Sequence, residues 1–205
     1  MKRITIALSI LILIQFACKK DKDPVEPEQQ PGQTVTISGK AYPTVEIGTL
    51  IWTSSNYDGP GGIPYDASNS KPEYGRYYTA PEISQVQLPQ GWRIPTVNDY
   101  VKLMESQGIV LENYHATNQP NIKKLVSATR WKNTQGTNAS GFNAFPAGYS
   151  FNNSSPMDGD ISEFWTSEAI TVSIQEGANL NHRVAFYGNQ NNPSYRHNLR
   201  FVRDK

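Results

Sequence analysis

A sharply bounded helix in an otherwise turn-rich chain is the feature that most constrains the fold. Thr96 is placed to cap its N-terminus, and Asp99, three residues later, completes a capping-box pattern. Pro95 disfavours helix immediately before the cap, and Gly108 ends the helix. The apolar residues that follow at helical spacing are Val97, Tyr100, Val101 and Met104. They predict one amphipathic helix that packs a single face against a core.

Short strands are predicted on both sides of this helix, because apolar and polar residues alternate between turn signals. The predicted strands cover residues 34–40, 42–47, 50–54, 163–169, 182–188 and 199–204. A second helix is predicted to start near Asn121 and to carry Ile122, Leu125 and Val126 inward. The long stretch after Trp131 is rich in Gly and Asn and is predicted to form loops. Two short helices among several short antiparallel strands, with long loops, make α+β the predicted fold class.

The N-terminus has the pattern of a secretory signal. Lys2 and Arg3 precede an apolar run from Ile4 to Ile14, which is too short for a membrane-spanning helix. Cys18, the only cysteine, stands where a bacterial lipoprotein signal places its lipid acceptor. This resemblance implies a signal peptide over residues 1–17, cleavage before Cys18 and lipidation of Cys18. Gln15 departs from the pattern, in which Leu is usual, and a plain secreted protein with a free thiol is the alternative.

Residues 18–33 are charged and rich in Pro and Gln, with almost no apolar side chains. Such a segment buries too little surface to fold, so we predict a flexible tether. Residues 34–205 then form a single domain, which is long enough to bury a core.

The charge balance argues against a nucleic-acid partner. The net charge is +1, and without residues 1–17, which hold two of the 19 basic residues and none of the 18 acidic ones, it is −1. Nucleic-acid binding requires a basic surface, which this composition does not supply.

No catalytic motif supports an enzyme. The chain has no zinc-protease, nucleophile-elbow or phosphate-loop pattern, and His115, His182 and His197 are scattered without metal-ligand spacing. We therefore interpret these histidines as surface or structural residues, and expect no catalytic residue, no cofactor and no metal.

Two short motifs resemble calcium sites and are weighed against turns. The first, "NQPN" at residues 118–121, is interpreted as the entry to the second helix. The second, "DGDIS", alternates Asp158, Asp160 and Ser162, but it lacks the final acidic ligand of an EF-hand. A polar turn before the strand of Trp165 is the favoured interpretation.

Six stretches in order resemble the Fibrobacter succinogenes major paralogous domain, a family of secreted and lipoprotein domains common in Bacteroidetes. They are "IGTLIWTSSNY" (47–57), "YGRYYT" (74–79), "LPQGWRIPTVNDYVKL" (88–103), "SGFNAFPAGY" (140–149), "FWTSEA" (164–169) and "LRFVRD" (199–204). The resemblance implies a C-type-lectin-like fold. The block "GWRIPTVNDY" is also similar to one in formylglycine-generating enzymes, but those rely on active-site cysteines that this chain lacks.

The family pattern implies a set of structural signature residues: Trp52, Trp92, Arg93, Pro95, Trp165 and Arg200. We predict that Trp92 and Pro95 wedge the chain into the core before the helix. Arg93 is predicted to pack its stem there and to reach a carboxylate or carbonyl with its head, with ligand contact as the alternative.

Two cysteines that are frequent in the family are both absent here. Leu88 and Phe201 occupy their positions. The paired loss implies that the family cysteines form a disulfide, so we expect Leu88 and Phe201 to lie close together in an apolar contact.

The candidate ligand residues lie in two polar loops: Tyr149, Phe151, Asn152, Asn153, Asp158 and Asp160 in one, and Asn189 and Asn191 within "GNQNNPSY" (188–195) in the other. Tyr and Asn suit polar ligands, although loops that are merely solvated are the alternative.

Together these features predict a non-catalytic, lipid-anchored binding module of the cell envelope. Its anchor would lie in the outer membrane, on the cell surface or the periplasmic face, and its ligand would be a glycan or a protein. The alternatives are a structural or adhesive subunit of a surface assembly and, less favoured, an enzyme acting on glycans.

Overall fold

Short antiparallel strands form the framework of residues 33–188 and 192–205, which are the residues that the computed structural model describes. The strands are β1 Thr34–Ile37, β2 Lys40–Ile47, β3 Leu50–Thr53, β4 His115–Thr117, β5 Ser150–Phe151, β6 Ile161–Trp165, β7 Thr171–Glu176, β8 His182–Tyr187, β9 Tyr195–Arg196 and β10 Val202–Asp204. The α-helices are α1 Ala80–Ile83 and α2 Val97–Ser106, and 3₁₀ turns cover Pro72–Tyr74 and Pro120–Lys124. The α+β class is therefore confirmed.

None of the helices in these ranges is both long enough and apolar enough to cross a membrane.

Three sheets organise the strands. The first has the order β1-β2-β3-β10, so the last strand of the chain pairs with β3. The second has the order β4-β8-β7-β6, and the third is the two-stranded ribbon β5-β9. Single parallel bridges join the two sides of this ribbon to β6, from Gly148 to Ser162 and from Asn198 to Phe164. The ribbon is thus an extension of the second sheet.

Aromatic side chains fill the space between α2 and the sheets. The ring centroid of Trp52 lies 5.0 Å from Tyr100 and 5.5 Å from Phe142, and Phe142 lies 5.5 Å from Phe164. These four rings are all buried. Their burial supplies a large share of the hydrophobic stabilisation, because aromatic side chains remove the most apolar area from water.

The N-terminus of α2 has the predicted capping box. The Asp99 amide donates to Oγ1 of Thr96 over 3.1 Å, and the Thr96 amide donates to Oδ2 of Asp99 over 2.7 Å. The Arg93 guanidinium forms a two-pronged ion pair with the same carboxylate, with Nη2 3.0 Å from Oδ1. Burial alone would raise the pKa of Asp99, but hydrogen bonds from Arg93 and Thr96 outweigh it and the pKa is lowered.

The segment before α2 is also tied to the end of the chain. Arg93 and Val202 exchange two backbone hydrogen bonds of 2.9 Å. Pro95 is buried, whereas Trp92 is only half-buried, with the Arg203 guanidinium 5.6 Å from the centre of its ring. The expected head-group contact of Arg93 with a carboxylate is confirmed, and this contact is structural.

Leu88 packs against the apolar cluster that contains the fully buried Phe201. The two positions therefore belong to the same apolar cluster, and their direct contact stays a prediction.

Arg200 is fully buried and hydrogen-bonded by neutral groups. Its Nε donates to Oδ1 of Asn56 over 2.6 Å, and its Nη1 donates to the carbonyls of Thr53 and Phe142 over 2.8 and 2.9 Å. Its Nη2 donates to the carbonyl of Asn143 over 3.0 Å. Burial lowers the pKa of Arg200 to about 9. These hydrogen bonds connect the end of β3 and the 142–143 segment to the backbone that leads into β10.

Two predicted elements need correction. The second helix is a 3₁₀ turn at Pro120–Lys124, although Ile122, Leu125 and Val126 are buried as predicted. It stops there because the backbone of Leu125 and Val126 pairs with the 138–144 segment instead of continuing the helix.

The strand predicted for residues 163–169 ends at Trp165. A turn follows it, in which the Thr166 amide donates to the carbonyl of Ile170 and Ala169 takes a φ of 56°. Strand β7, which begins at Thr171 directly after this turn, was not predicted.

Candidate functional site

Four rings form a ladder on one face of the β5-β9 ribbon. The register pairs Phe151 with Tyr195, and it therefore also brings Tyr149 opposite His197, since alternate residues share a face. The centroids of Phe151 and Tyr195 are 4.8 Å apart, and those of Tyr149, Tyr195 and His197 are each 6.1 Å from one another. Tyr149 and Phe151 were predicted as ligand residues. They therefore lie beside Tyr195, which ends the other predicted loop, and His197, which follows it two residues later.

The ladder runs from solvent into the protein. Phe151 is 38% exposed, Tyr149 and Tyr195 are half-buried, and His197 is 1% exposed. The ring of His197 packs at an angle against Trp165, with centroids 4.4 Å apart. Trp165 is itself fixed, because its Nε1 donates to the Tyr78 carbonyl over 2.6 Å. The inner end of the ladder is therefore rigidly held.

A carboxylate lies at this inner end. Oε2 of Glu163, on β6, is 2.9 Å from Nδ1 of His197, and both side chains are at least nine-tenths buried. The backbone fixes this approach, since the Asn198 amide donates to the Glu163 carbonyl over 3.0 Å. Glu163 and His197 come from segments far apart in sequence and meet only because β9 leads back alongside β6.

A cleft of about 260 Å³ opens beside the pair. Its lining residues are Tyr149, Ile161, Glu163, Thr171, Gln175, Tyr187, Tyr195 and His197. Oγ1 of Thr171 and both ring nitrogens of His197 are buried and make no hydrogen bond of good geometry within the described residues. Buried polar atoms in native proteins are normally satisfied, so these atoms leave hydrogen-bonding capacity unused beside the cleft.

The carboxylate is the dominant charge of the cleft. Burial raises the pKa of the Tyr149 hydroxyl, and the negative charge of Glu163 raises it further. Of the nearby guanidinium groups, that of Arg196 pairs with Glu82 over 2.6 Å on the other face of the ribbon. That of Arg183 donates over 2.9 Å to Oε1 of Gln175, a residue that lines the cleft.

Two predicted asparagines, Asn152 and Asn153, directly follow β5. Oδ1 of Asn153 accepts a 2.7 Å hydrogen bond from Nε of Arg196, and the Asn152 amide donates to the Ser194 carbonyl over 2.9 Å. Asn152 and Asn153 have positive φ of 51° and 55° respectively, a conformation that asparagine tolerates better than most residues. They form the turn that leads the ladder out to solvent, and they do not line the cleft.

The predicted acidic residues lie apart from the cleft. Asp158 accepts a 2.9 Å hydrogen bond from the Tyr65 hydroxyl and pairs with Lys71, whose Nζ lies 4.2 Å from the centre of the Tyr65 ring. Asp160 is exposed, and its carbonyl accepts from the Glu176 amide. The prediction that these aspartates join Tyr149 in one ligand site is therefore not supported by their positions.

Within residues 33–188 and 192–205, no three His, Cys, Asp or Glu side chains cluster as metal ligands. The "DGDIS" segment instead leads from a turn into β6, as the sequence favoured.

The remaining predicted positions divide into two groups. Trp52, Pro95, Trp165 and Arg200 are buried scaffold residues, while Trp92 and Arg93 are half-buried at the entrance to α2. Cys18, Asn189 and Asn191 lie outside the described residues, so their predicted roles stay predictions.

The sequence interpretation missed the polar base of the cleft. Glu163 was noted as the first residue of the strand predicted for 163–169 and His197 only as a scattered histidine, whereas both lie at the inner end of the ladder. A signal was present: Tyr149 and Phe151 alternate, as do Tyr195 and His197, and each pair predicts a strand with one aromatic face.

Comparisons with known proteins gave one match. The sequence profile of the Fibrobacter succinogenes major domain family matches residues 45–203. A search of curated proteins returned no match. A search of solved structures returned none either.

Proposed function

Since the chain belongs to the Fibrobacter succinogenes major domain family, which its profile match covers from residue 45 to 203, we propose that it is a non-catalytic binding module of the cell envelope. Its ligand is a glycan, which binds along the aromatic ladder and enters the cleft beside Glu163. The finer description of the domain as C-type-lectin-like is part of this proposal and rests on the family resemblance.

The ladder is the observation that carries the proposal. Four rings on one face of the ribbon, with Phe151 exposed at one end and a carboxylate at the other, combine flat apolar faces with hydrogen-bonding groups. Sugar rings present the complementary surfaces: C–H groups on their faces and hydroxyl donors on their edges. Tyrosine supplies such contact area at low cost in conformational entropy.

The size of the cleft favours a glycan over a protein. A protein interface of standard size buries about 1,200–2,000 Å² in total, whereas this site is a narrow ladder ending in a cleft of about 260 Å³. A protein partner, as in an adhesive or structural subunit, is retained as one outcome of the test below.

The membrane anchor is proposed from the N-terminal pattern alone. Lipidation of Cys18 and a tether over residues 18–33 would hold the domain at the outer membrane. In Cys18→Ser we expect loss of fatty-acid labelling and release from the membrane fraction. Gln15→Leu, which restores the usual residue of lipoprotein signals, is the matched control and should stay lipidated. Persistent membrane attachment of Cys18→Ser would contradict the anchor.

A glycan array tests the binding function. The full chain, purified in detergent, is expected to bind a subset of glycans and to do so equally with calcium or with chelator. Tyr195→Ala should abolish binding, because it removes the central ring of the ladder. Tyr114→Ala is the matched control, since this tyrosine is 55% exposed and packs on Phe186 of β8.

Three results would count against this proposal. Glycan binding that Tyr195→Ala leaves intact would place the site elsewhere. Binding that chelator abolishes would contradict a metal-free cleft. The absence of any glycan binding would favour a protein partner, which cross-linking in the envelope would then identify.

A further inference from the structure

The cleft at the inner end of the ladder holds only a small group. Its volume of about 260 Å³ is below the roughly 300–1,000 Å³ that is usual for small-molecule sites. The inner wall is closed by His197, which packs on the buried ring of Trp165. A continuous chain therefore has no route through this end, and a ligand enters it with one terminal unit.

The ladder provides a second position outside the cleft. Tyr149 and His197 form the inner rung, and Phe151 and Tyr195 form the outer one. Two residues along a strand advance by roughly 6.6 Å, which separates the rungs by about the length of one sugar unit. The exposed face of Phe151 thus contacts the unit next to the terminal one.

The carboxylate of Glu163 determines which functional groups of the terminal sugar unit are favoured in the cleft. The side chain of Glu163 is 8% exposed, and within the described residues His197 is its only polar partner. An ionised carboxylate accepts hydrogen bonds and donates none. Sugar hydroxyl groups that donate to this carboxylate form charge-assisted hydrogen bonds, which are stronger than hydrogen bonds between two neutral groups.

An acidic terminal unit would instead bring a second negative charge next to Glu163. Its carboxylate or sulfate would be desolvated beside Glu163, Arg196 is paired with Glu82 on the other face of the ribbon, and Arg183 contacts the neutral Gln175 rather than Glu163. An unpaired buried charge next to one of like sign is strongly unfavourable.

We propose that the cleft recognises the neutral end of a glycan chain, with the hydroxyl groups of the terminal unit donating to Glu163, and that Glu163 excludes chains ending in an acidic sugar. This inference rests on the proposed glycan-binding function and adds the chemical class of the chain end. It makes Glu163 a specificity-determining residue and Phe151 the platform for the second unit.

The test uses an array of matched oligosaccharide pairs, each printed with a neutral hexose end and with the corresponding uronic acid end. The full chain in detergent is expected to bind the neutral member of a pair about tenfold or more better than the acidic one, which is the effect of one lost charge-assisted contact. Glu163→Gln should reduce this preference to roughly threefold or less, because the amide can donate to an acid.

A second variant tests the two-unit arrangement without touching the buried pair. Phe151→Ala is expected to weaken binding of chains of two or more units by about tenfold, the value of one stacking contact, while leaving binding of the single methyl glycoside unchanged. The control is Phe145→Ala, which alters an aromatic residue of a separate cluster.

The outcomes separate the inference from the function on which it rests. Equal binding of neutral and acidic ends that is still abolished by Tyr195→Ala would overturn the inference and leave the glycan-binding function standing. A preference that Glu163→Gln leaves unchanged would also overturn it. No binding to any pair would overturn both.

Discussion

Arg200 and the Glu163–His197 pair are both buried, but they differ in how completely their polar atoms are hydrogen-bonded within the protein. Arg200 lies among four acceptors at 2.6–3.0 Å, and each of its three nitrogens donates to at least one of them. Glu163 and His197 have each other, at 2.9 Å, and then face a cleft in which Thr171 Oγ1 is also without a partner.

The difference separates scaffold from site. A buried polar group whose hydrogen bonds are all made within the protein stabilises the fold, because removing it leaves its buried partners without a hydrogen bond. A buried group that is only partly satisfied and adjoins a cavity has capacity left for a ligand. Both are equally hidden from solvent, so burial alone does not tell them apart.

The largest effect is expected from Arg200→Met. The change leaves four buried acceptors unpaired, at about 1–3 kcal/mol each, so the free energy of unfolding should fall by roughly 4 kcal/mol or more. Urea denaturation measures this loss. Arg203→Met, at an exposed position beside Trp92, is the matched control and should change little. A loss below about 1 kcal/mol for Arg200→Met would remove it from the scaffold class.

A pH effect adds a third buried group to the comparison, since neither ring nitrogen of His182 has a hydrogen-bond partner among the described residues and His182 does not line the cleft. His182 is fully buried edge-on against Trp131, and burial lowers its pKa to about 4 from an ordinary value of 6.5. The unfolded chain therefore binds the proton more tightly than the folded one. The contribution of His182 to stability is complete above about pH 6.5 and is lost as the pH falls towards 4, by up to roughly 3 kcal/mol.

Urea denaturation at several pH values between 4 and 7.5 tests this window. His182→Leu should show a flatter pH dependence than the native chain, while His115→Gln, at an exposed position, should keep the native slope. Apart from Glu176, whose pKa is lowered in part by the charge of His182, the carboxylates are common to all three proteins, so the difference between variants isolates His182 together with its interaction with Glu176. Parallel curves would contradict the expectation.

A smaller effect is expected at the start of α2. Asp99→Asn weakens the bonds to Thr96 and the ion pair with Arg93, so the free energy of unfolding should fall by about 1–2 kcal/mol. Glu105→Gln, an exposed residue in the last turn of the same helix, should be neutral or slightly stabilising. Equal effects of the two changes in urea denaturation would show that the cap contributes nothing.

The smallest effect on stability is expected for Glu163→Gln. The amide keeps the shape of the side chain and can still form a hydrogen bond with the His197 ring, so the free energy of unfolding, measured by urea denaturation, should fall by less than about 1 kcal/mol. If Glu163→Gln instead destabilises the protein as much as Arg200→Met, the pair belongs to the scaffold and the comparison fails.

The helix α2 was predictable because its signals are local. Thr96, Asp99 and Gly108 act within a few residues of one another, and the structure has the capping box that they imply. That Leu88 and Phe201 share one apolar cluster was expected only through the family resemblance, since nothing in the spacing of two distant apolar residues indicates it.

The candidate site was only half predictable. Tyr149 and Phe151 were identified because aromatic residues in a polar loop are unusual enough to notice. Glu163 and His197 were not, because their meeting depends on the register between β6 and the segment after β9, which is set by pairing over a long sequence separation. Strand β7 was missed for a related reason: its first four residues are all buried, so it shows no alternation.

The pairing of β10 with β3 also has a consequence for how the chain comes into being. Asp204 lies opposite Leu50, so the central strand of the first sheet receives its second neighbour only when the final residues are present. β3 therefore keeps an open edge until residues 202–204 have been synthesised and paired, and open edges are where strands of different molecules join. A product that stops before Val202 would leave this edge of β3 exposed to such pairing.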